Sequence, residues 1–117
     1  MTLNNGTTIP VIGLGTFRNR EVTIETVKSA VLEHGYRHID TAKVYQNEEE
    51  VGEALQQCIA AGVPREELFV TTKLWYSDYN DIEGACRESL RKLKLEYVDV
   101  YMIHWMILPI DYESEDW

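Results

Sequence analysis

Residues Tyr36 to Glu50 read Tyr-Arg-His-Ile-Asp-Thr-Ala-Lys-Val-Tyr-Gln-Asn-Glu-Glu-Glu, an order that predicts a strand giving out into a loop before a helix. Gly35 ahead of them reads as a helix stop, His38-Ile39-Asp40 as a short buried strand, and Asn47 with Glu50 three residues on as a capping pair. One loop therefore carries a carboxylate, Asp40, and a phenol, Tyr45. Both could be ordinary structure, with Asp40 closing a turn and Tyr45 packing. The segments on either side bear on that choice.

Upstream, Asn5-Gly6 lies between Leu3 and Ile9, which predicts a hairpin on a type I′ turn with positive φ at both central residues. Val11 to Phe17, Val-Ile-Gly-Leu-Gly-Thr-Phe, reads as a short buried strand whose glycines admit a close neighbour. Its Gly-Leu-Gly lacks the third glycine and the helix-opening context of a dinucleotide fingerprint. Val27, Ala30, Val31 and His34 then fall on one face of a helix ending at Gly35.

Downstream, Val51, Ala54, Leu55, Cys58 and Ile59 repeat the helical spacing until Gly62 and Pro64. Leu68 to Trp75 is β-branched and aromatic with Lys73 at its far end, a third strand. Ile82, Ala85, Cys86, Ser89, Leu90 and Leu93 mark another helix face. Tyr97 to Trp105, ending Met-Ile-His-Trp, is a fourth strand. Strand–helix alternation with near-continuous apolar strands implies a parallel sheet covered by helices. On that reading Asp40, Lys73 and His104 each stand where a strand runs out, on one common rim. In parallel α/β barrels that rim is where chemistry is built.

Composition narrows the function classes. At 117 residues, 44% hydrophobic and 26% charged, the chain has the make-up of one folded domain rather than of a disordered segment. Its apolar runs are too short for a membrane span. No basic segment followed by an apolar one opens the sequence, so a cytoplasmic location is the default expectation. A formal net charge of −9 without a Lys/Arg cluster argues against a nucleic-acid surface. Cys58 and Cys86 fall on apolar helix faces and are assigned no chemistry.

Gly-Leu-Gly-Thr-Phe, Gly-Tyr-Arg-His-Ile-Asp-Thr-Ala followed by Tyr-Gln-Asn-Glu, Thr-Lys-Leu-Trp and Ile-His-Trp stand here in the order and spacing of the aldo-keto reductases. The resemblance covers residues 3–106 and is nearest to the aldose-reductase-like branch. It implies an α/β chain of the (β/α)₈ TIM-barrel type, of which these residues form the N-terminal half. Residues 1–12 would be the bottom hairpin, 13–106 the strand–helix units and 107–117 a divergent acidic tail. It also implies NADPH-dependent reduction of small-molecule aldehydes and ketones to alcohols.

Carried over motif by motif, the catalytic residues would be Asp40, Tyr45, Lys73 and His104. Gly15, Thr16, Phe17 and Asp40 would lie beside the nicotinamide ribose. Trp75 and Trp105, with His104, would wall the substrate pocket. The chemistry asks for these residue types, because a hydride delivered to a carbonyl carbon leaves an oxyanion that must be stabilised and protonated. A phenol is a poor acid at neutral pH. An ammonium beside it eases loss of its proton, and a carboxylate keeps that ammonium charged and in place. A neutral imidazole can orient the carbonyl oxygen.

Two departures from the family pattern stand out. A complete barrel of this kind takes about 250 residues, and the family's contacts to the carboxamide, pyrophosphate and 2′-phosphate have no counterpart here. Met106 stands where the family usually has proline. The isolated chain is therefore expected to self-associate, as a twofold pair of half-barrels, or to need a complementary half, because its sheet edges would be open and its inner face apolar and uncovered. A second reading stays open beside the enzyme: a truncated, catalytically incompetent half-barrel acting as a self-associating or partner-binding module.

Overall fold

A computed structural model describes residues 1–19 and 21–106; the acidic tail expected at 107–117 lies outside the described residues. Four parallel strands, β1 (Leu14–Gly15), β2 (His38–Asp40), β3 (Phe69–Leu74) and β4 (Val100–Ile103), form one sheet in the order β1-β2-β3-β4. Helices α1 (Thr23–Leu32), α2 (Glu48–Ala60) and α3 (Ile82–Leu93) make the crossovers between them. Each strand pairs with the next in sequence, as a strand–helix–strand chain with crossovers of one hand requires. No helix among the described residues is long and apolar enough to cross a membrane.

The core lies between sheet and helices. Val27 and Val31 of α1, Val51, Ala54, Leu55 and Cys58 of α2, Leu93 of α3, and Ile39, Leu68 and Val70 from the sheet side form one buried cluster. The register pairs Ile39 with Val70 and Asp40 with Thr71. Strand side chains alternate between faces, so Ile39 and Val70 look into the helices while His38, Asp40, Phe69, Thr71 and Lys73 share the opposite face. That second face is not the continuous apolar surface expected. His38 Nε2 lies 3.0 Å from Thr71 Oγ1 and its ring meets Phe69 edge-on at 5.0 Å. Lys73 is tied to Asp40.

Helix ends follow their sequence signals in part. Gly62, at φ +108°, closes α2 with Val63 N–H donating to Cys58 O and its own N–H to Ile59 O, the paired bonds of a Schellman motif. Lys94 does the same work after α3 from the left-handed region without being glycine. Asp81 caps α3 by accepting from Gly84 N–H. Asn47, read from the sequence as the cap of α2, makes no side-chain cap bond. His34, placed on the buried face of α1, is exposed, since the helix stops at Leu32.

Two further expectations change. The first hairpin is a single bridge, Thr2 with Thr8. Its turn is closed by Gly6 N–H to Leu3 O, and Gly6 takes positive φ while Asn5 does not. This is a longer loop ending on a left-handed glycine rather than type I′. The buried strand expected at 11–17 contracts to Leu14–Gly15, with Val11 at 84% and Ile12 at 68% exposure. At Gly13 a Cβ would stand 3.0 Å from the His38 ring, so the close approach read from the glycines is real there. Likewise β4 begins at Val100 rather than Tyr97. Arg65 stacks over the Tyr97 ring at 4.0 Å and binds Tyr97 O and Asp99, while Asp99 donates its N–H to Val70 O and accepts from Val70 N–H with its carboxylate in place of a main-chain carbonyl.

Candidate active site

Three strands and the loop after β2 bring Asp40, Tyr45, Lys73 and His104 together at the C-terminal edge of the sheet. Asp40 is the last residue of β2, Lys73 the penultimate residue of β3, and His104 follows β4 with its N–H still on the ladder, donating to Leu74 O at 3.1 Å. Tyr45 closes a short 3₁₀ turn, Lys43–Tyr45, after which Gln46 turns left-handed. That turn aims the phenol back over the sheet edge toward Lys73.

Lys73 sits at the centre and is 8% exposed. An ammonium has three protons to give, and its Nζ donates to Asp40 Oδ1 at 2.7 Å, Thr41 O at 3.0 Å and Tyr45 Oη at 3.3 Å. A buried cation with every donor used and a carboxylate partner escapes most of the cost of burial. Since Lys73 donates to the phenol oxygen, the phenol's own proton is left to go elsewhere.

His104 meets Tyr45 edge-on at 5.6 Å and Trp75 at 5.5 Å. Burial, and secondarily the Lys73 charge, holds its pKa below the ordinary imidazole value, against a smaller opposing pull from Asp40. The ring is therefore neutral at neutral pH. Its Nδ1 is buried with no hydrogen-bond partner among the described residues, which leaves Nε2 as the nitrogen available to a ligand.

Phe17, Val44, Tyr45, Trp75, His104 and Trp105 line a cleft of about 180 Å³ directly over these groups. Trp75 packs on Trp105 at 5.0 Å and Phe17 on Tyr45 at 5.1 Å. Both tryptophans singled out in the sequence are thus on the cleft wall. Tyr79 Oη donates to Trp105 O, and Lys43 pairs with Asp78, so the loops after β2, β3 and β4 are tied to one another around the opening.

On the β1 side, Thr16 is fully buried and donates both its N–H and its hydroxyl to Asp40 O, each at 3.0 Å. Gly15 pairs with Asp40 in the sheet, and a Cβ there would meet nothing within 4 Å. Phe17 is 53% exposed. The rim beside Asp40 is therefore open on the β1 side. Among the described residues no group of three or more His, Cys, Asp or Glu could hold a metal ion. Cys58 is buried in the core, where burial pushes its thiol pKa up, and Cys86 is half-buried; neither is disulfide-bonded or near the cleft.

The sequence reading missed Thr41, whose carbonyl holds Lys73, and Val44 on the cleft wall. Neither carries a signal of its own, because a main-chain acceptor has no residue type and a valine beside a tyrosine reads as packing. Asn47 does stand at the N-cap position of α2, its carbonyl accepting from Val51 N–H, but its side chain turns inward to Thr41 and Thr16 instead of capping the helix, which the sequence did not signal.

The family model described as the Aldo/keto reductase family matches residues 6–114. Glycerol 2-dehydrogenase (NADP(+)) of Saccharomyces cerevisiae is 49% identical over 105 residues, covering 90% of this chain and 33% of the yeast protein. Aldo-keto reductase family 1 member A1 of Rattus norvegicus is 47% identical, covering 97% of this chain and 35% of its own length. Among solved structures, the Bombyx mori aldo-keto reductase AKR2E4 in complex with NADP superposes with a TM-score of 0.82 at 47% identity, covering 88% of this chain and 36% of that one. The chain spans about a third of the length of the curated relatives it matches.

Proposed function

Because the chain belongs to the aldo/keto reductase family, we propose that its Asp40–Tyr45–Lys73–His104 cluster serves the NADPH-dependent reduction of small aldehydes and ketones to alcohols. The observation that carries the proposal is Lys73, whose three donors go to Asp40, Thr41 and the Tyr45 hydroxyl at one strand-end rim. NADPH supplies a hydride when bound. Gly15, Thr16, Phe17 and Asp40 would border its nicotinamide ribose, a role that the open rim at Gly15 accommodates.

A carbonyl carbon that accepts a hydride leaves negative charge on its oxygen. Tyr45 gives that oxygen its proton, completing the alcohol. The phenolate charge left behind lies 3.3 Å from the Lys73 ammonium, in a site dry enough for the attraction to count. Asp40 holds that ammonium in place. His104, neutral, offers Nε2–H to the carbonyl oxygen and fixes its direction, while Trp75, Trp105, Phe17 and Val44 exclude water and accept an apolar substituent.

The test is turnover of a small aldehyde, followed by loss of reduced nicotinamide absorbance, with NADPH affinity measured by fluorescence titration. Tyr45→Phe is expected to lower kcat by about 10²–10⁴, the usual contribution of a positioned acid, with little change in NADPH affinity. Lys73→Met should do likewise. Near-parental turnover in Tyr45→Phe, or no carbonyl reduction by the parent once the complementary half of the barrel is supplied, would overturn the reading.

A further inference from the structure

The β2–α2 loop begins at Asp40 and ends at Asn47, and its two ends are fastened at one buried point. Asn47 is 0% exposed, as are Thr41 and Thr16. The Asn47 Oδ1 accepts from Thr41 Oγ1 at 2.9 Å, and its Nδ2 donates to Thr16 O at 2.7 Å. Thr16 in turn gives both its N–H and its hydroxyl to Asp40 O. Thr41 N–H donates to Thr71 O at 2.9 Å, and Thr41 O accepts from Lys73 Nζ. The Asn47 amide thus closes a ring of hydrogen bonds that joins the loop after β1, the end of β2 and the start of α2.

We propose that Asn47 is the positioning residue for the proposed proton donor: its amide, bridging Thr41 and Thr16, sets the height of the Asp40–Asn47 loop and so holds the Tyr45 hydroxyl at Lys73. This rests on the reductase reading of the site and adds a residue that touches no substrate. Tyr45 stands two positions before Asn47, and the left-handed turn at Gln46 leaves little slack between them. An amide is required because one end must accept and the other donate. Aspartate would present only acceptors to Thr16 O, and alanine would leave buried polar groups unpaired on both sides.

The Tyr45–Lys73 contact provides a readout independent of turnover. Lys73 Nζ lies 4.9 Å from the Tyr45 ring centroid, a separation at which nuclear Overhauser contacts between the ring protons and the lysine ε-methylene are expected. These contacts are expected in the parent and in Thr41→Ser, which keeps the hydroxyl, and are lost in Asn47→Ala, Asn47→Asp and Thr41→Val. A role confined to overall stability would leave them intact in the folded population of every variant.

In turnover, Asn47→Ala is expected to lose about 10²-fold in kcat, the scale of an ångström's misplacement. KM for the aldehyde should move little, and Thr41→Ser should hold the parental rate where Thr41→Val does not. If Asn47→Ala does not fold, the Thr41→Ser and Thr41→Val pair decides. Contacts retained in Thr41→Val and in any folded Asn47 variant overturn the proposal, as does parental kcat in them beside an inactive Tyr45→Phe. An active Tyr45→Phe instead removes the reductase assignment of the phenol, and the Overhauser contacts then judge the positioning claim alone.

Discussion

His104 is where burial and the Lys73 charge act on one side chain in the same direction, outweighing an opposing pull from Asp40. Burial and the Lys73 ammonium both disfavour the imidazolium, so in the folded chain its pKa lies below the usual 6.5. Between those two values the unfolded chain binds more protons than the folded one, and stability rises with pH across the window. The contribution is complete above 6.5 and is lost as pH falls through the folded value. Denaturant unfolding of the parent and His104→Gln, compared across pH, should therefore show the parent losing stability relative to the variant on acidification below about 6.5. Parallel curves would mean that His104 titrates normally.

At this same scale the sequence was legible where residue type dictates chemistry. A lysine at a strand end, a carboxylate and a phenol on one loop, and a histidine after the last strand could be located by strand endings alone. Asn47 could not, since an asparagine before Glu-Glu-Glu satisfies a capping rule whether or not its side chain turns inward. Its actual partners, Thr41 and Thr16, are set by tertiary packing that no local pattern encodes.

Between elements, α2 comes up close against α3 at Gly52. A Cβ there would stand 2.5 Å from Lys92 O and 2.7 Å from Leu93 C, both main-chain atoms of α3. Helix propensity alone favours Gly52→Ala by about 1 kcal/mol. The clash is with backbone, which cannot rotate away, and overpacking of this kind costs about 1–3 kcal/mol or more. Gly52→Ala is therefore expected to lower the unfolding midpoint despite the better helix former, and a raised midpoint would show that α3 can slide. As a scale, Leu55→Ala in the same helix, fully buried in the core, should cost about 2–5 kcal/mol. Nothing in the sequence marked Gly52 as a contact point, because a glycine inside a helical pattern reads only as a weak spot. The helices and β3 were readable from apolar period and length. The residues of β1 and the entry to β4 were not, because Val11 and Ile12 are exposed rather than paired and the Asp99 carboxylate takes Val70 N–H in place of a main-chain carbonyl.

Over the whole molecule, parallel order and the position of the rim follow from strand–helix alternation, whereas the character of the sheet's open face does not. That face carries His38, Asp40, Thr71 and Lys73, and its polar groups are largely paired with one another. Apolar side chains are exposed at both edges of the sheet, Val11, Ile12 and Phe17 around β1 and others along and after β4. β4 pairs only with β3 among the described residues, and Met102, Ile103 and Met106 are 41%, 52% and 89% exposed. Its sequence, Val-Tyr-Met-Ile, contains neither the charge nor the proline with which edge strands are usually blunted. β1, at the other edge, is only two residues long and offers little to pair with. The 117-residue chain on its own is therefore expected to associate through β4, and a twofold pairing of β4 with its copy satisfies both free edges at once. Light scattering should give a mass above that of the 13.6 kDa monomer, falling toward it in Ile103→Lys, which sets a charge on the exposed edge. A parent that stays monomeric at high concentration would show that β4 is already covered.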